Sequence, residues 1–493
     1  MKNKYAWLTI LSTLFGSIQL FAQPTVTQAD VVVTGINLRT GSAVVLQKVI
    51  ISPTTAGTAV VRFDGTCIAD SADRIVLAAS NDADWHIADG CLSIQVANAA
   101  SGRRSFSHTR VYDIPAGKDT FFAVGQNYVE TGGSGLASIY GSLTVEFFPA
   151  GDPAFVVDSN IYWSGAVRPT TASFQDVPLV APVSGKVLAH MDGIVYSDPG
   201  DQIMLSAYYQ PTWLVGAGSV GLMAANGAKR YSPFTHSRMF SVSNNSYTYY
   251  ASGKNVLNVS GSGNASVYGN LSAEFFPNGG TTLIDATGFQ TPTLNIRAQA
   301  MVLDSVTINP TVAGKALVQF DGYCTSSAGD RIVFAASNDH NWHPTQGCVT
   351  VSAISNTNTM SVFSHSRLYT VAPGSNTFYA VTQNYVDVAG SGQATVYANL
   401  SVKFYANANT SVANVEPDAA FQLYPNPAQN ELFVVLNNAA AKNTDLEILD
   451  LNGRIINRIQ AGTAEQLQID ISQYAAGIYL IRNNGQVQKF VKE

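Results

Sequence analysis

The sequence predicts an all-β chain, with three tandem β-sandwich domains followed by a smaller fourth module. Three observations carry this reading. Blocks of sequence recur at a domain-sized interval, apolar runs are short and β-branched, and no segment sustains a helical period with caps. Length agrees, because 493 residues exceed one ordinary domain and fit three or four. Hydrophobic residues at 46% supply several cores, which excludes a disordered or collagen-like chain. Charged residues are only 12%, and 33 acids against 27 bases leave a net charge of −6, so no basic face is available for nucleic acid. Ser, Thr, Asn and Gly cover the surface instead, as in secreted β-rich proteins.

The N-terminus fits that composition. Lys2 and Lys4 precede an apolar run that closes on Ala22, just before Gln23 and Pro24. Ser12, Thr13, Ser17 and Gln19 interrupt a run already short for a bilayer, so residues 1–22 read as a cleavable secretory signal peptide. No cysteine stands at the expected cleavage site to carry a lipid, and no later run is apolar enough to span a membrane, so the mature protein is expected to lack a transmembrane segment.

The repetition is direct. Phe63-Asp64-Gly65 returns as Met191-Asp192-Gly193 and Phe320-Asp321-Gly322, at intervals of 191 − 63 = 128 and 320 − 191 = 129. Phe106, His108 and Arg110 return as Phe234, His236 and Arg238, then as Phe363, His365 and Arg367, at the same intervals. A third block runs from Ser134-Gly135 to Phe147-Phe148-Pro149 and recurs in both later copies. The copies occupy residues 23–152, 153–280 and 281–407, each long enough to own a core. Within the first, residues 59–63, 74–78, 92–96, 120–124 and 137–148 read as strands punctuated by Gly, Asp and Asn. About eight strands per copy argue for an antiparallel sandwich or jelly roll. The FDG strand, the DRI strand, the FSHTR strand and the closing aromatic strand together resemble the jelly rolls of the tumour-necrosis-factor and complement globular-head families. Those jelly rolls associate as threefold trimers, so the resemblance admits an intramolecular pseudo-trimer with the closing aromatic strands facing its axis. Beads on a string are the competing arrangement.

Residues 408–420 are small, polar and aperiodic, and read as a linker. In residues 421–493, short alternating strands around an Asn-Gly turn predict a small immunoglobulin-like β-sandwich. Its blocks are Tyr424-Pro425-Asn426-Pro427, then the DLNGR segment with Gly453 and Arg454, then an IDIS segment followed by Gly477 and Tyr479. In this order they resemble the type A C-terminal sorting domain of the Bacteroidetes type IX secretion system. The resemblance implies handling by that machinery, passage through the periplasm, and a final place outside the cell or on the outer-membrane surface.

Four cysteines fall at equivalent places. Cys67 and Cys91, like Cys324 and Cys348, stand 24 residues apart, while the second copy has Val195 and Ser219 there. Paired presence and absence in an oxidising compartment predicts the disulfides Cys67–Cys91 and Cys324–Cys348. Asp64, His108 and Arg110 recur in every copy; alternation puts His108 and Arg110 on one sheet face, so a structural polar cluster is expected rather than a catalytic set. No motif for a hydrolase elbow, a zinc helix or a phosphate loop is present. The expected ligand-binding residues are Asn81, Asp82, Trp85 and His86, mirrored by Asn338, Asp339, Trp342 and His343. Such a loop stacks on a sugar ring and bonds its hydroxyls, or gives oxygens to calcium; alternatively the Trp packs the sandwich edge. The second copy keeps only Trp213, so it is expected to be silent. No cofactor is required. The function predicted is non-enzymatic adhesion or glycan binding outside the cell. A secreted polysaccharide hydrolase, which needs two carboxylates across one cleft, and a purely structural surface component are the alternatives.

Overall fold

The computed structural model describes residues 23–39, 41–70, 73–86, 91–95, 102–129, 133–168, 170–198, 201–212, 219–223, 230–256, 263–280, 282–297, 299–327, 329–343, 348–352, 359–385, 390–407, 421–424, 428–436, 445–450, 454–460, 466–483 and 486–493. The expected signal peptide and linker lie outside these residues. The chain divides into two compact units, Met1–Ala408 and Asn409–Glu493. Among the described residues no helix is long and apolar enough to cross a membrane.

The first repeat has eight strands: β1 (Thr25–Asn37), β2 (Val44–Ile51), β3 (Gly57–Ala69), β4 (Arg74–Ser80), β5 (Leu92–Gln95), β6 (Gly102–Ile114), β7 (Asp119–Val129) and β8 (Leu136–Pro149). They form two antiparallel sheets in the orders β1-β8-β3-β6 and β2-β7-β4-β5. Each strand pairs with its counterpart from the other end of the repeat, as if one long hairpin had been rolled up, and this is the jelly roll. The second repeat, from Phe155–Ala166 to Asn264–Pro277, keeps the same order. In the third, the first strand is broken into Leu283–Gln290 and Leu294–Asn295, both paired with Gln393–Ala406. Pro292 stands in the break, where it has no N–H to give to the ladder.

β3 is buried on both faces from Ala59 to Cys67. Its parity divides the work: Ala59, Val61, Phe63 and Cys67 enter the repeat's own core, while Val60, Arg62 and Asp64 turn towards the other repeats. The recurrent Gly of the FDG block sits in mid-strand rather than in a turn. Gly65 has φ 156° opposite Gly141, and an added Cβ would lie 2.2 Å from the Tyr140 carbonyl oxygen, so only glycine fits that close approach.

Polar bonds run cyclically between repeats. Asp64 of the first accepts from Ser366 Oγ of the third at 2.7 Å. Asp192 of the second accepts from Ser107 Oγ and Thr109 Oγ1 of the first at 2.9 and 2.6 Å. Asp321 of the third accepts from the Ser237 N–H of the second at 2.7 Å. A buried charge cluster joins all three: Lys403 Nζ lies 2.5 Å from Glu146 and 2.7 Å from Glu274, and Arg62 lies 3.9 and 3.8 Å from the same two carboxylates. Arg62 also donates to Gln319 Oε1 at 2.6 Å.

The expected disulfides are corrected by the structure, in which all four cysteines are free thiols. Cys67 and Cys324 point into the cores of their own repeats, whereas Cys91 and Cys348 face the clefts between repeats, so each pair looks in two directions. Each position follows its own requirement. The second repeat puts Val195, another small apolar group, at the core position, and Ser219 at the other.

The C-terminal unit is a second, separate sandwich. Strands Phe421–Tyr424, Glu431–Leu436 and Gln466–Asp470 make one sheet; Asp445–Leu449, Ile455–Gln460, Gly477–Asn483 and Gln486–Lys492 make the other. Leu432, Val434, Leu446, Ile448, Ile481 and Phe490 alternate inward to form its core.

Candidate functional site

The loop after β4 is organised by Asp82. Its Oδ1 accepts from Ser80 Oγ and from the Asp84 N–H, both at 3.0 Å, and its Oδ2 pairs with His86 Nε2 at 2.7 Å. Slight burial works against the charged carboxyl, but the His86 and Asp84 bonds outweigh it and lower its pKa. Asp339 repeats the arrangement with Ser337, Asn341 and His343. Both Asp–His pairs therefore brace their loops, and among the described residues no group of three His, Cys, Asp or Glu side chains is placed to hold a metal. Asn81 and Asn338 are exposed. Trp85 and Trp342 turn back instead, and each fixes its ring by donating from Nε1 at 2.6 Å, to Gln126 and Gln383. Trp213 lies outside the described residues.

The recurrent Asp, His and Arg take different tasks. His108 Nδ1 and His365 Nδ1 each accept a backbone N–H at 2.9 Å, from Ala79 and Ala336, tying the two sheets of a repeat together. The aspartates carry the cyclic bonds between repeats. Burial opposes the charge of Asp192, but His190, His108 and Thr109 hold its carboxyl far below the ordinary range. At Asp64 and Asp321 burial prevails and the pKa is raised. Arg110 crosses to the next repeat and donates to Asn160 Oδ1 at 2.5 Å.

Among the described residues two equivalent clefts open where repeats meet. The one between repeats 1 and 2, of about 350 Å³, is lined by Trp85, Cys91, Arg110, Tyr162, Tyr231 and Tyr268. The one between repeats 3 and 1, of about 590 Å³, is lined by Trp342, Cys348, Arg367, Tyr385, Arg103 and Tyr140. Three of the four most exposed large apolar side chains stand in them: Tyr162 at 83%, Val32 at 69% and Tyr385 at 56%. The junction between repeats 2 and 3 is packed instead. Tyr323 and Tyr397 stack at 4.6 Å, and Met360 sits so close to Gly221 that an added Cβ would come within 2.7 Å of its sulfur. Sequence reading found the two tryptophans but missed Arg103, Tyr140, Tyr162, Tyr231 and Tyr385. Comparing the repeats position by position across the junctions would have exposed them.

Residues 422–493 match the family described as Secretion system C-terminal sorting domain. This module is a type IX sorting domain. Within the sorting domain, Arg454 pairs with Asp450, with its N–H 2.9 Å from Oδ1 and its Nε 3.2 Å from Oδ2. Gly477 opens a strand in which Tyr479 stacks on Phe490 at 5.5 Å and donates to the Ala475 carbonyl at 2.8 Å. Of its other motif residues, Pro425, Asn426, Pro427 and Gly453 lie outside the described residues, and Tyr424 ends the first strand. No curated protein sequence matches the chain. Among solved structures it is similar to the atomic structure of Sulfolobus Turreted Icosahedral Virus, at 10% identity and a TM-score of 0.18 over 77% of this chain and 91% of that one. It is also similar to the infectious bursal disease virus Gx strain, at 8% identity and a TM-score of 0.18 over 79% and 81%.

Proposed function

We propose that this is a non-enzymatic recognition protein whose three jelly rolls close as an intramolecular pseudo-trimer and bind glycans in the clefts at two of its three junctions. Export rests on firmer ground: the sorting domain implies passage through the periplasm to the cell surface or the medium. The observation that carries the binding reading is the equivalence of the two clefts. In each a tryptophan is held rigid by a glutamine, tyrosines stand exposed, and arginine and asparagine or aspartate donate and accept beside them. Aromatic faces match the C–H face of a pyranose, and fixed rings lower the ordering cost of binding. Hydrolysis is disfavoured because it needs two carboxylates across a cleft. No carboxylate is among the described residues lining the cleft between repeats 1 and 2, and of the two in the other, Asp64 is committed to Ser142 and Ser366 while Asp30 faces Arg367 at 3.7 Å.

The test is an array of bacterial and plant oligosaccharides probed with the purified protein and with Trp85→Ala and Trp342→Ala. Each substitution should weaken binding by about tenfold or more and leave the fold intact. If the wild type binds no glycan, or both variants bind as it does, the reading is wrong.

A further inference from the structure

Each junction places one residue at the start of the fourth strand of one repeat against one residue at the start of the sixth strand of the next. The first set is 74, 202 and 331, and the second is 103, 231 and 360, at the repeat intervals of 128 and 129. Between repeats 1 and 2, Arg74 lies over the Tyr231 ring, 4.1 Å from its centroid. Between repeats 2 and 3, Gln202 donates to the Met360 sulfur at 3.0 Å and the junction is shut. Between repeats 3 and 1 the pair is Arg331 with Arg103, two cations. Neither makes an ion pair among the described residues, and Arg103 Nε is buried with no hydrogen-bond partner among them. The groups around Arg103 do not neutralise it. They are Tyr140, Tyr385 and Cys348, whose thiol burial pushes up to about 11. Asp30, in the same cleft, faces Arg367 at 3.7 Å.

We propose that the cleft between repeats 3 and 1 takes an acidic sugar, whose carboxylate is held by the Arg103 guanidinium, while the cleft between repeats 1 and 2 takes neutral sugar. A partly desolvated guanidinium beside another cation is unfavourable until an anion joins it. A carboxylate matches its fork of two parallel N–H groups. The sugar ring then lies along Trp342 and Tyr385, which meet edge to face at 5.0 Å. At the equivalent place stands the neutral ring of Tyr231, covered by Arg74, and the guanidiniums of that cleft are engaged: Arg74 donates to Ser93 and Arg110 to Asn160.

This inference rests on the glycan reading above, and calorimetric titration separates the two. The probes are oligogalacturonate and oligoalginate, each beside its carboxyl-reduced neutral counterpart. The wild type should bind the acidic form of at least one pair about tenfold tighter than the reduced form. Arg103→Met should abolish that preference while neutral binding persists; Arg103→Lys, which keeps the charge but not the fork, should restore it only in part. Equal binding of acidic and reduced forms by the wild type, or a preference that survives Arg103→Met, overturns the acidic site and leaves the glycan reading standing. If no glycan on the array binds at all, both fall. Near-ultraviolet circular dichroism of each variant confirms that the change is in binding and not in fold.

Discussion

Lys403 stands where the first two repeats carry Glu146 and Glu274, and it lies within 2.7 Å of both. Burial disfavours the charge of Glu146, yet Lys403 and Arg62 outweigh it and hold its carboxyl below the ordinary 4.5. A carboxyl whose pKa falls on folding contributes stability above its unfolded pKa and loses it as pH drops through the folded value. Lys403→Met removes one cation and leaves two buried carboxylates with Arg62 as the cation beside them and the Tyr405 hydroxyl on Glu146. The expected loss is about 3–5 kcal/mol near neutral pH. The pH response should also change. With Lys403 gone the Glu146 carboxyl titrates higher, so the variant should gain stability relative to its parent as pH falls from about 7 to about 5. Urea denaturation at both pH values measures this. A variant as stable as its parent, or one with the same pH slope, would show that the cluster does not stabilise the fold.

At the scale of the strand, the sequence is most legible where apolar residues alternate without interruption and least where an acid and a glycine stand in mid-strand. β8 alternates well and was read almost to its ends, Leu136–Pro149 against an expected 137–148. β3 was cut short at Phe63, because Asp64 and Gly65 look like turn residues; in the structure they continue the strand to Ala69. Asp64 is tolerated there because a neighbouring repeat supplies its hydroxyl donors, which no local pattern announces. Gly65 is tolerated because Gly141 faces it. The disulfide expectation failed on the same blindness, since spacing does not reveal which way two side chains look. Gly65→Ala should cost about 2–4 kcal/mol, through both its φ and the clash with the Tyr140 carbonyl. Gly117→Ala, also at positive φ but with open space around it, should cost less. Comparing their denaturation midpoints isolates the close approach, and equal losses would contradict it.

For the whole molecule, repeat length and number were plain from recurring motifs, whereas the clefts were not, because each is made from two repeats about 128 residues apart. Buried bonds that cross every junction should also bind the repeats into one cooperative unit. Scanning calorimetry of the protein should give one transition for the three jelly rolls, with calorimetric and van't Hoff enthalpies in agreement, and a separate one for the sorting domain. Three resolved jelly-roll transitions would mean that the junctions contribute little. The mixed charges at the centre bear on how such a gene can change. Three tandem copies invite unequal recombination, but these are no longer interchangeable parts. A chain with the third copy in all three places would put three lysines and no acid at positions 146, 274 and 403, and one built from the second would put three glutamates there with histidine in place of Arg62. Divergence at a few interior positions should therefore restrict how the duplicates can be shuffled, and a crossover that repeats the second or third copy should be recovered only alongside compensating changes at residues 62, 146, 274 and 403.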